Sequence, residues 1–591
     1  EFLRVASAAG QRVEPALLAD AAGLDEAAVY DALREAVGRQ VLVPHPAAGT
    51  ERYAFRHALL QEAVYDDLLP GERTRLHSAF ARALEATAAA DGSRTAELAH
   101  HWYAAHDLPR ALQLAVRAGD EAERRYAYPE AVEQYERAAD IWDQVADATT
   151  RAGRDRVDLL AALANVSGYH DPARAVAHIQ AAIRAVDATT DPVRCGRLNE
   201  RLGRYAWIAG QGELAKQAYR AAVDVVPAEP PSEVRATAMA GFAQILMLGG
   251  RYTESRAMAE EALALARSVG ARSTEGHALN TRGLSRGVAG DVDGAMDDLA
   301  AALRIAEEVD SVDDIGRAFA NTTWMLELAG RLEEAIAVAE RGVAATAELG
   351  LMRFFGTHLL CNIASCQYRL GNWDEAEEAV RRADEAGPFG INEILVQELL
   401  ARFALARGRF DEAARRLQPL AAVAERAVDI QFVGPVEGSL AELALWQGRP
   451  QAAADHVVAS LRLIDHSPEI RVGEIYALGL RANADLAELA RARRSTVQED
   501  AALASGDALL EGIRRRHADV VETRPSVAHL SEVWRLLCEA EATRLHRRPD
   551  PRAWTACAEA WGRLGQPYPA AYARWREAEA RLETRGEREP A

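Results

Sequence analysis

Apolar residues recur at three- and four-residue spacing through nearly all of this chain, the period of helices with one buried face, and glycines interrupt them at regular places. AGQGELA (Ala209 to Ala215), GGRYTES (Gly249 to Ser255), AGDVDGA (Ala289 to Ala295), AGRLEEA (Ala329 to Ala335), LGNWDEA (Leu370 to Ala376), RGRFDEA (Arg407 to Ala413) and QGRPQAA (Gln447 to Ala453) align, with Gly at 210, 250, 290, 330, 371, 408 and 448. That period of about 40 residues lies in the range of helical repeats. In each unit the Gly ends one helix in the left-handed conformation, a bulky residue such as Leu332 folds back between helices, and Glu333 and Glu334 set negative charge on the free amides of the next helix. Ala335 lets the two helices approach. Antiparallel helix pairs of this kind stack into a solenoid.

The first seventy residues follow another pattern. VEPALLADAAGLDEAAVYDALREAVGRQVLVPH reads as a short helix, a turn at Gly23, a helix capped by Asp25 and a β-rich run. A Gly-containing turn at Ala47 to Thr50 and an RYAF strand follow, and together they make a winged helix. A DNA-reading second helix needs Arg, Lys, Asn or Gln toward base edges; here Asp25, Glu26, Asp31 and Glu35 offset Arg34 and Arg39, which favours a structural or regulatory role. Ala58 to Leu69 is expected to be an amphipathic helix, with Leu59, Leu60, Ala63, Val64 and Leu68 on its stripe. A basic pair, Arg56-His57, stands at its start, where Ser, Thr, Asp or Asn is usual.

Composition narrows the function classes. A formal net charge of −20 argues against a phosphate-gripping surface. From Arg481 onward 19 Arg meet 18 carboxylates, so the acidity belongs to the front four-fifths. Five cysteines without a CxxC pair fit buried thiols in a reducing cytoplasm. No stretch reaches the roughly 18 apolar residues of a membrane span. The chain begins at Glu1 without Met and is expected to be a piece of a longer polypeptide.

The repeat pattern of small residue, Gly, bulky residue, Glu and Ala resembles the tetratricopeptide repeat, lengthened by about a turn relative to the ~34-residue unit. It covers Val157 to roughly Leu480, with weaker copies at HDLPRAL (His106 to Leu112), AYPEAVEQYERAA (Ala127 to Ala139) and LGQPYPAAYARW (Leu564 to Trp575). A winged helix ending in FRHALLQEAVYDDLLPGERTRLH, followed by AELAHHWYAAHDLPRALQLAVRAG and long helical repeats, resembles the middle and C-terminal part of the large ATP-binding LuxR-type (LAL, MalT-like) transcription regulators among the STAND NTPases. The resemblance implies an NTPase module ahead of the winged helix, a sensing repeat region and a closing DNA-binding helix-turn-helix, both flanking parts lying outside these residues. It also implies a role for His57. In related STAND proteins a Met-His-Asp histidine at this place approaches the phosphates of ADP; here Phe55-Arg56-His57-Ala58-Leu59 has Ala58 in place of the Asp. The plainer alternative is that His57 satisfies a local carbonyl.

Catalytic and cofactor motifs are not found. Lys216 is followed by Gln217, so no GxxxxGK[ST] loop is present, and GQG at 210 to 212 reads as turn punctuation. No cofactor is expected in this segment, with ATP or ADP implied for the full-length protein. His100, His101 and His106 lack metal-ligand spacing and read as helix packing. Cys361 and Cys366 do not share a helix face, and the basic clusters at Arg491 to Arg494 and Arg514 to His517 read as solvated faces.

Ligand candidates fall on the first helix of each pair, which lines the concave side. Asn280, Asn321 and Asn362 recur 41 residues apart, with Arg282, Trp324 and Tyr368 nearby. Such amides and cations suit a peptide backbone or carboxylate; the plainer reading is that each Asn bonds a neighbouring repeat. The expected architecture is an all-α tetratricopeptide-like superhelix with an N-terminal winged helix: residues 1–70 winged helix, 71–156 linking helices, 157–480 repeats, 481–591 C-terminal repeats or cap. The expected function is non-enzymatic. A protein or small-molecule effector binds the groove and is relayed through the winged helix to the NTPase module, with oligomerisation on activation and neither nucleic acid nor membrane contacted by this segment. A freestanding tetratricopeptide scaffold, or the sensor of a cyclase- or kinase-linked signalling ATPase, stands as the alternative.

Overall fold

A computed structural model describes residues 1–591 except 46–50, 88–93, 169–170, 425–429, 466–471 and 587–591. The chain divides into two units, Glu1–Val186 and Asp187–Ala591. Both are helical, and the single small sheet among the described residues belongs to the first.

The first unit opens with α1 (Phe2–Ala8), β1 (Arg12–Val13), α2 (Pro15–Ala22), α3 (Glu26–Gly38), β2 (Leu42–His45) and β3 (Arg52–Phe55). The strands pair antiparallel in the order β1-β3-β2, with Val13 opposite Tyr53 and Val43 opposite Ala54. This is the winged-helix topology. The sequence reading missed α1 and β1, whose apolar residues Val5 and Val13 complete the core with Leu18, Leu33, Leu42 and Phe55. Gly23 ends α2 at φ 64°, and the Asp25 carboxylate accepts a bond from Ala28 N at 2.8 Å to start α3. On α3, Arg34 pairs with Asp31 at 2.6 Å and Arg39 with Glu35 at 2.8 Å. The turn expected at Ala47 to Thr50 lies outside the described residues.

Seven helices in mutual contact follow α4 (Ala58–Asp66): α5 (Pro70–Thr87), α6 (Thr95–Ala104), α7 (Leu108–Arg124), α8 (Tyr128–Ile141), α9 (Ala148–Ala152), α10 (Arg156–Ser167) and α11 (Pro172–Arg184).

The second unit pairs α12 (Pro192–Ile208) with α13 (Gly212–Val225), α14 (Glu233–Leu248) with α15 (Tyr252–Val269), α16 (Arg272–Val288) with α17 (Val292–Glu308), and α18 (Val312–Leu328) with α19 (Leu332–Glu348). After a π-helical turn at Met352–Gly356 come α20 (Thr357–Leu370) with α21 (Trp373–Glu385), α22 (Ile391–Ala406) with α23 (Phe410–Ala424), α24 (Ile430–Trp446) with α25 (Pro450–Ile464), and α26 (Val472–Ala492) with α27 (Thr496–Thr523). The repeat glycines named above all have positive φ. At Gly330, with φ 75°, Arg331 N reaches back to Leu326 O at 2.9 Å, and Leu332 and Ala335 are then buried between the helices.

The even-numbered helices from α12 to α26 also pack on each other, so they form an inner layer. Their sequences explain the choice. α14 is apolar on nearly every side from Ala236 through Leu248, Thr237 and Gln244 being its only polar residues there. The outer α21 has only the stripe Ala376, Ala379, Val380 and Ala383 among charged residues. The array curls until its start meets its middle: Trp207 lies edge-on to Phe354, and a Cβ at Gly390 would stand 2.2 Å from the Ile208 carbonyl oxygen.

The tail does not prolong this array outward. A turn at Pro525–Val527 leads into α28 (Ala528–Leu545), α29 (Pro551–Arg563) and α30 (Pro567–Gly586), which run back against the inner layer. Arg524 Nη1 donates to the Val288 carbonyl at 3.2 Å, Leu530 sits over Gly330, and Tyr568 packs against both Tyr368 and Trp373. The weak repeat signature at Leu564 to Trp575 thus belongs to a helix pair that faces the groove.

Candidate functional site

A cavity of ≈ 290 Å³ lies between the inner helices and the returning tail. Trp324, Asn362, Tyr368, Arg402, Trp446 and Arg481 form the wall from α18, α20, α22, α24 and α26; Trp534, Leu537, Tyr568 and Tyr572 face them from α28 and α30. The volume is at the lower end of small-molecule pockets, about 300–1,000 Å³.

Five carboxylates line this space, and each already accepts a hydrogen bond. Glu327 takes one from Ser365 Oγ at 3.0 Å, Glu398 one from Ser439 Oγ at 2.7 Å, and Glu474 one from Arg402 Nη1 at 3.4 Å. Glu442 accepts from Trp446 Nε1 at 3.3 Å and Tyr568 OH at 3.4 Å. Glu541 accepts from Arg544 at 2.7 Å and from the Tyr572 hydroxyl. Burial alone would push the Glu541 carboxyl up, but Arg544 and Arg576 outweigh it and hold it below the usual range. The Arg402 guanidinium is affected in the same competing way: burial disfavours its charge, and Glu398 and Glu474 more than restore it.

Donors are less well served. Trp324 Nε1, Asn362 Nδ2 and Arg481 Nε are buried and make no hydrogen bond. Arg481, 8% exposed, lies between two rings, its guanidinium carbon 4.5 Å from the Trp446 centroid and 5.0 Å from that of Tyr572. No carboxylate within ion-pair distance of it is found among the described residues.

The groove residues expected from sequence separate into two sets. Trp324, Asn362 and Tyr368 line the cavity. Asn280, Asn321 and Arg282 do not: Asn321 Nδ2 donates to Asn280 Oδ1 in the preceding repeat, and Arg282 grips Asp298 through Nε at 2.8 Å and Nη2 at 2.6 Å. These three tie neighbouring helices together. Asn321→Ala is expected to cost about 1–3 kcal/mol, because it strands the buried Asn280 oxygen. In a double-mutant cycle of urea melts, Asn280→Ala added to it should cost clearly less than the sum of the single changes.

Arg402, Glu442, Arg481, Tyr568 and Tyr572 were not singled out from the sequence. A charge amid small apolar residues, as in ALGLRANA around Arg481, was the available signal. The two tyrosines come from the tail, and only the return of α28–α30 brings them to the site.

His57 begins α4 with extended backbone and makes no side-chain capping bond. It and Arg56 are exposed, and none of the α4 side chains is fully buried: Leu59 is 75% exposed and Leu60 39%. Of the stripe predicted on this helix, Leu59 and Leu60 form an open apolar face beside a basic pair, whereas Leu68, past the helix end at Asp66, is buried in the core of the first unit.

His100 and His101 join His77 instead of His106. His77 Nδ1 and His101 Nδ1 are 2.8 Å apart, and Tyr65 OH lies 2.9 Å from His77 Nε2. Burial, with the neighbouring rings, pushes His77 down to about 4 and His101 to about 3. Each ring is neutral with one proton, as the chain of bonds requires. No metal-holding group of three His, Cys, Asp or Glu occurs among the described residues. All five cysteines are buried thiols. The basic clusters do more than face solvent: Arg491 pairs with Glu499 at 2.7 Å, Arg514 with Glu539 at 3.2 Å, and His517 Nδ1 meets Ser531 Oγ at 2.7 Å. No described helix is long and apolar enough to cross a membrane.

No family model and no curated protein matches the chain. Among solved structures it is similar to a Rap protein complexed with competence and sporulation factor, at 14% identity and a TM-score of 0.40, over 60% of this chain and 98% of that one. It is also similar to a STAND protein with a tetratricopeptide repeat sensor from Pyrococcus horikoshii, at 12% identity and 0.33, over 71% of this chain. There the chain spans 61% of the other protein. The Cut9-Hcn1 hetero-tetramer of the APC/C is a third, at 13% identity and 0.38, over 83% of this chain and 95% of that one.

Proposed function

We propose that this chain is the sensing and interaction region of a larger ATP-dependent regulator of the STAND type, in the LAL or MalT-like group. An effector binds between the inner helices and the returning tail, and the winged-helix unit passes the change to a nucleotide-binding module. The observation that carries the reading is the cavity itself. One wall is the repeat array and the other is α28 to α30, so any ligand with different affinity for the open and closed arrangements shifts the balance between them. Residues with unmet hydrogen-bonding capacity line it, as a binding site requires and a packed core avoids.

The open face of α4 supports the second half of the proposal. Leu59 and Leu60 stand in solvent beside Arg56 and His57, and an apolar patch next to cations suits a module that holds an anionic nucleotide. In this reading His57 donates a ring N–H toward a phosphate in the ADP-bound state. No catalysis is assigned to these residues. In the full-length polypeptide loaded with fluorescent ADP, Leu59→Ser with Leu60→Ser is expected to raise the nucleotide release rate about tenfold, by removing roughly 1.4 kcal/mol or more of apolar contact. Release at the unaltered rate would end the relay proposal.

A further inference from the structure

We infer that the cavity is built for a small organic carboxylate with an aromatic or apolar body, its carboxylate seated on Arg481. The inference rests on the reading of this cavity as an effector site and adds the chemistry of what enters it.

Unmet hydrogen-bonding capacity decides the sign. The four buried polar atoms without a partner on residues lining the cavity, on Trp324, Asn362, Arg481 and Trp561, are all donors. Every lining carboxylate already accepts a bond from Ser, Arg, Trp or Tyr. The carboxylates are thus each engaged at least once, whereas a ligand that brings oxygen acceptors meets donors with no partner at all. Arg481 sharpens this from acceptor to anion. A guanidinium removed from water is expensive unless an anion neutralises it, yet here it has two aromatic neighbours and no carboxylate within ion-pair distance among the described residues; Glu541, which feels its charge, is already bonded to Arg544 and Tyr572. The rings of Trp446 and Tyr572 pack against its carbon but accept none of its N–H groups, which leaves the N–H fork for a bidentate oxyanion.

The rest of the lining describes the body. Leu395, Leu399, Leu478, Leu530, Val533 and Leu537 supply aliphatic surface, with Trp324, Tyr368 and Trp534 for ring stacking. A volume near 290 Å³ suits one ring and a short chain better than a peptide of several residues.

The test uses the 591-residue chain and three probes of one shape: 3-phenylpropionate, its neutral amide, and 3-phenylpropylamine. Titration calorimetry is expected to give binding of the acid at least tenfold tighter than the amide, with no heat from the amine. Arg481→Met should remove that tenfold preference and leave the amide unchanged. The same substitution should raise the melting temperature of the ligand-free chain by about 2 °C, since it deletes a buried charge that has no direct ion-pair partner while keeping the packing against two rings. A merely structural Arg481 would give the reverse, a lower melting temperature with the preference intact. Tighter binding of the amine or amide, or no binding of the acid at millimolar concentration, overturns the carboxylate assignment. The relay is read separately, by ADP release, so either proposal can fail alone.

Discussion

Lowering the pH from 7 to 5 is expected to destabilise the N-terminal unit by about 4 kcal/mol through two histidines. His77 and His101 are 2% and 1% exposed, and burial holds them neutral, at about 4 and about 3. In the unfolded chain each titrates near 6.5. The depressed folded values mean that the unfolded state binds more protons between these limits. Stability is whole above about 6.5 and falls as the pH drops toward 4, by about 1.4 kcal/mol per unit for each ring, or about 2 kcal/mol apiece at pH 5. The surroundings give no relief: Arg73 faces the pair, Phe80 stacks on His101 at 5.3 Å, and a proton added to either ring breaks the single-donor chain from Tyr65 through His77 to His101. Other groups also titrate in this range, so the measurement is a difference. Urea unfolding of the chain at pH 7, 6 and 5 is compared with that of a His77→Phe, His101→Phe double variant. The gap between them should close by several kcal/mol as the pH falls, and a gap independent of pH would refute the neutral-pair assignment.

The same pair marks what the sequence could and could not disclose. His100-His101 was visible as a doublet in a helix, but His77 lies 24 residues from His101 and only the docking of α5 on α6 joins them. The repeats were legible because each is local: a glycine, a returning leucine, a glutamate pair and an alanine report one helix turn on the next within seven residues. That locality also made the 41-residue asparagine spacing conspicuous, and for Asn280 and Asn321 the spacing records a bond between repeats. Asn362 has the same spacing and a different fate, because it lines the cavity and its Nδ2 has no partner. The Leu59 and Leu60 stripe shows the complementary limit: periodicity predicts that a face wants a partner, not whether the partner is in the same chain. The site residues that escaped notice, Arg481, Tyr568 and Tyr572 above all, depend on the return of α28 to α30, a contact with no local signature.

That return gives the second large effect. Trp561 is fully buried in α29, lines the cavity, and meets Trp534 of α28 edge-to-face with centroids 4.7 Å apart. Trp561→Ala is expected to cost about 3–5 kcal/mol, the range for emptying a buried tryptophan site. Where the cost appears matters more than its size. The inner layer from α14 to α22 is held by its own alanine- and leucine-rich contacts between successive pairs, and these do not involve Trp561, whose core is shared with α24 to α27. The tail meets that stretch through fewer groups, among them Tyr568 against Tyr368 and Leu530 over Gly330. Local opening of α28 to α30 should therefore become cheaper while the repeats stay closed. Hydrogen exchange followed by mass spectrometry is expected to show protection across residues 528–586 falling about a hundredfold or more, with residues 233–406 unchanged. Arg481 and Trp324 would then face water, and the preference for 3-phenylpropionate over its amide should disappear with the wall that excludes solvent. Uniform loss of protection through both segments would mean that the tail and repeats fold as one inseparable body, and the cavity would then be an internal void with no wall able to open for a ligand.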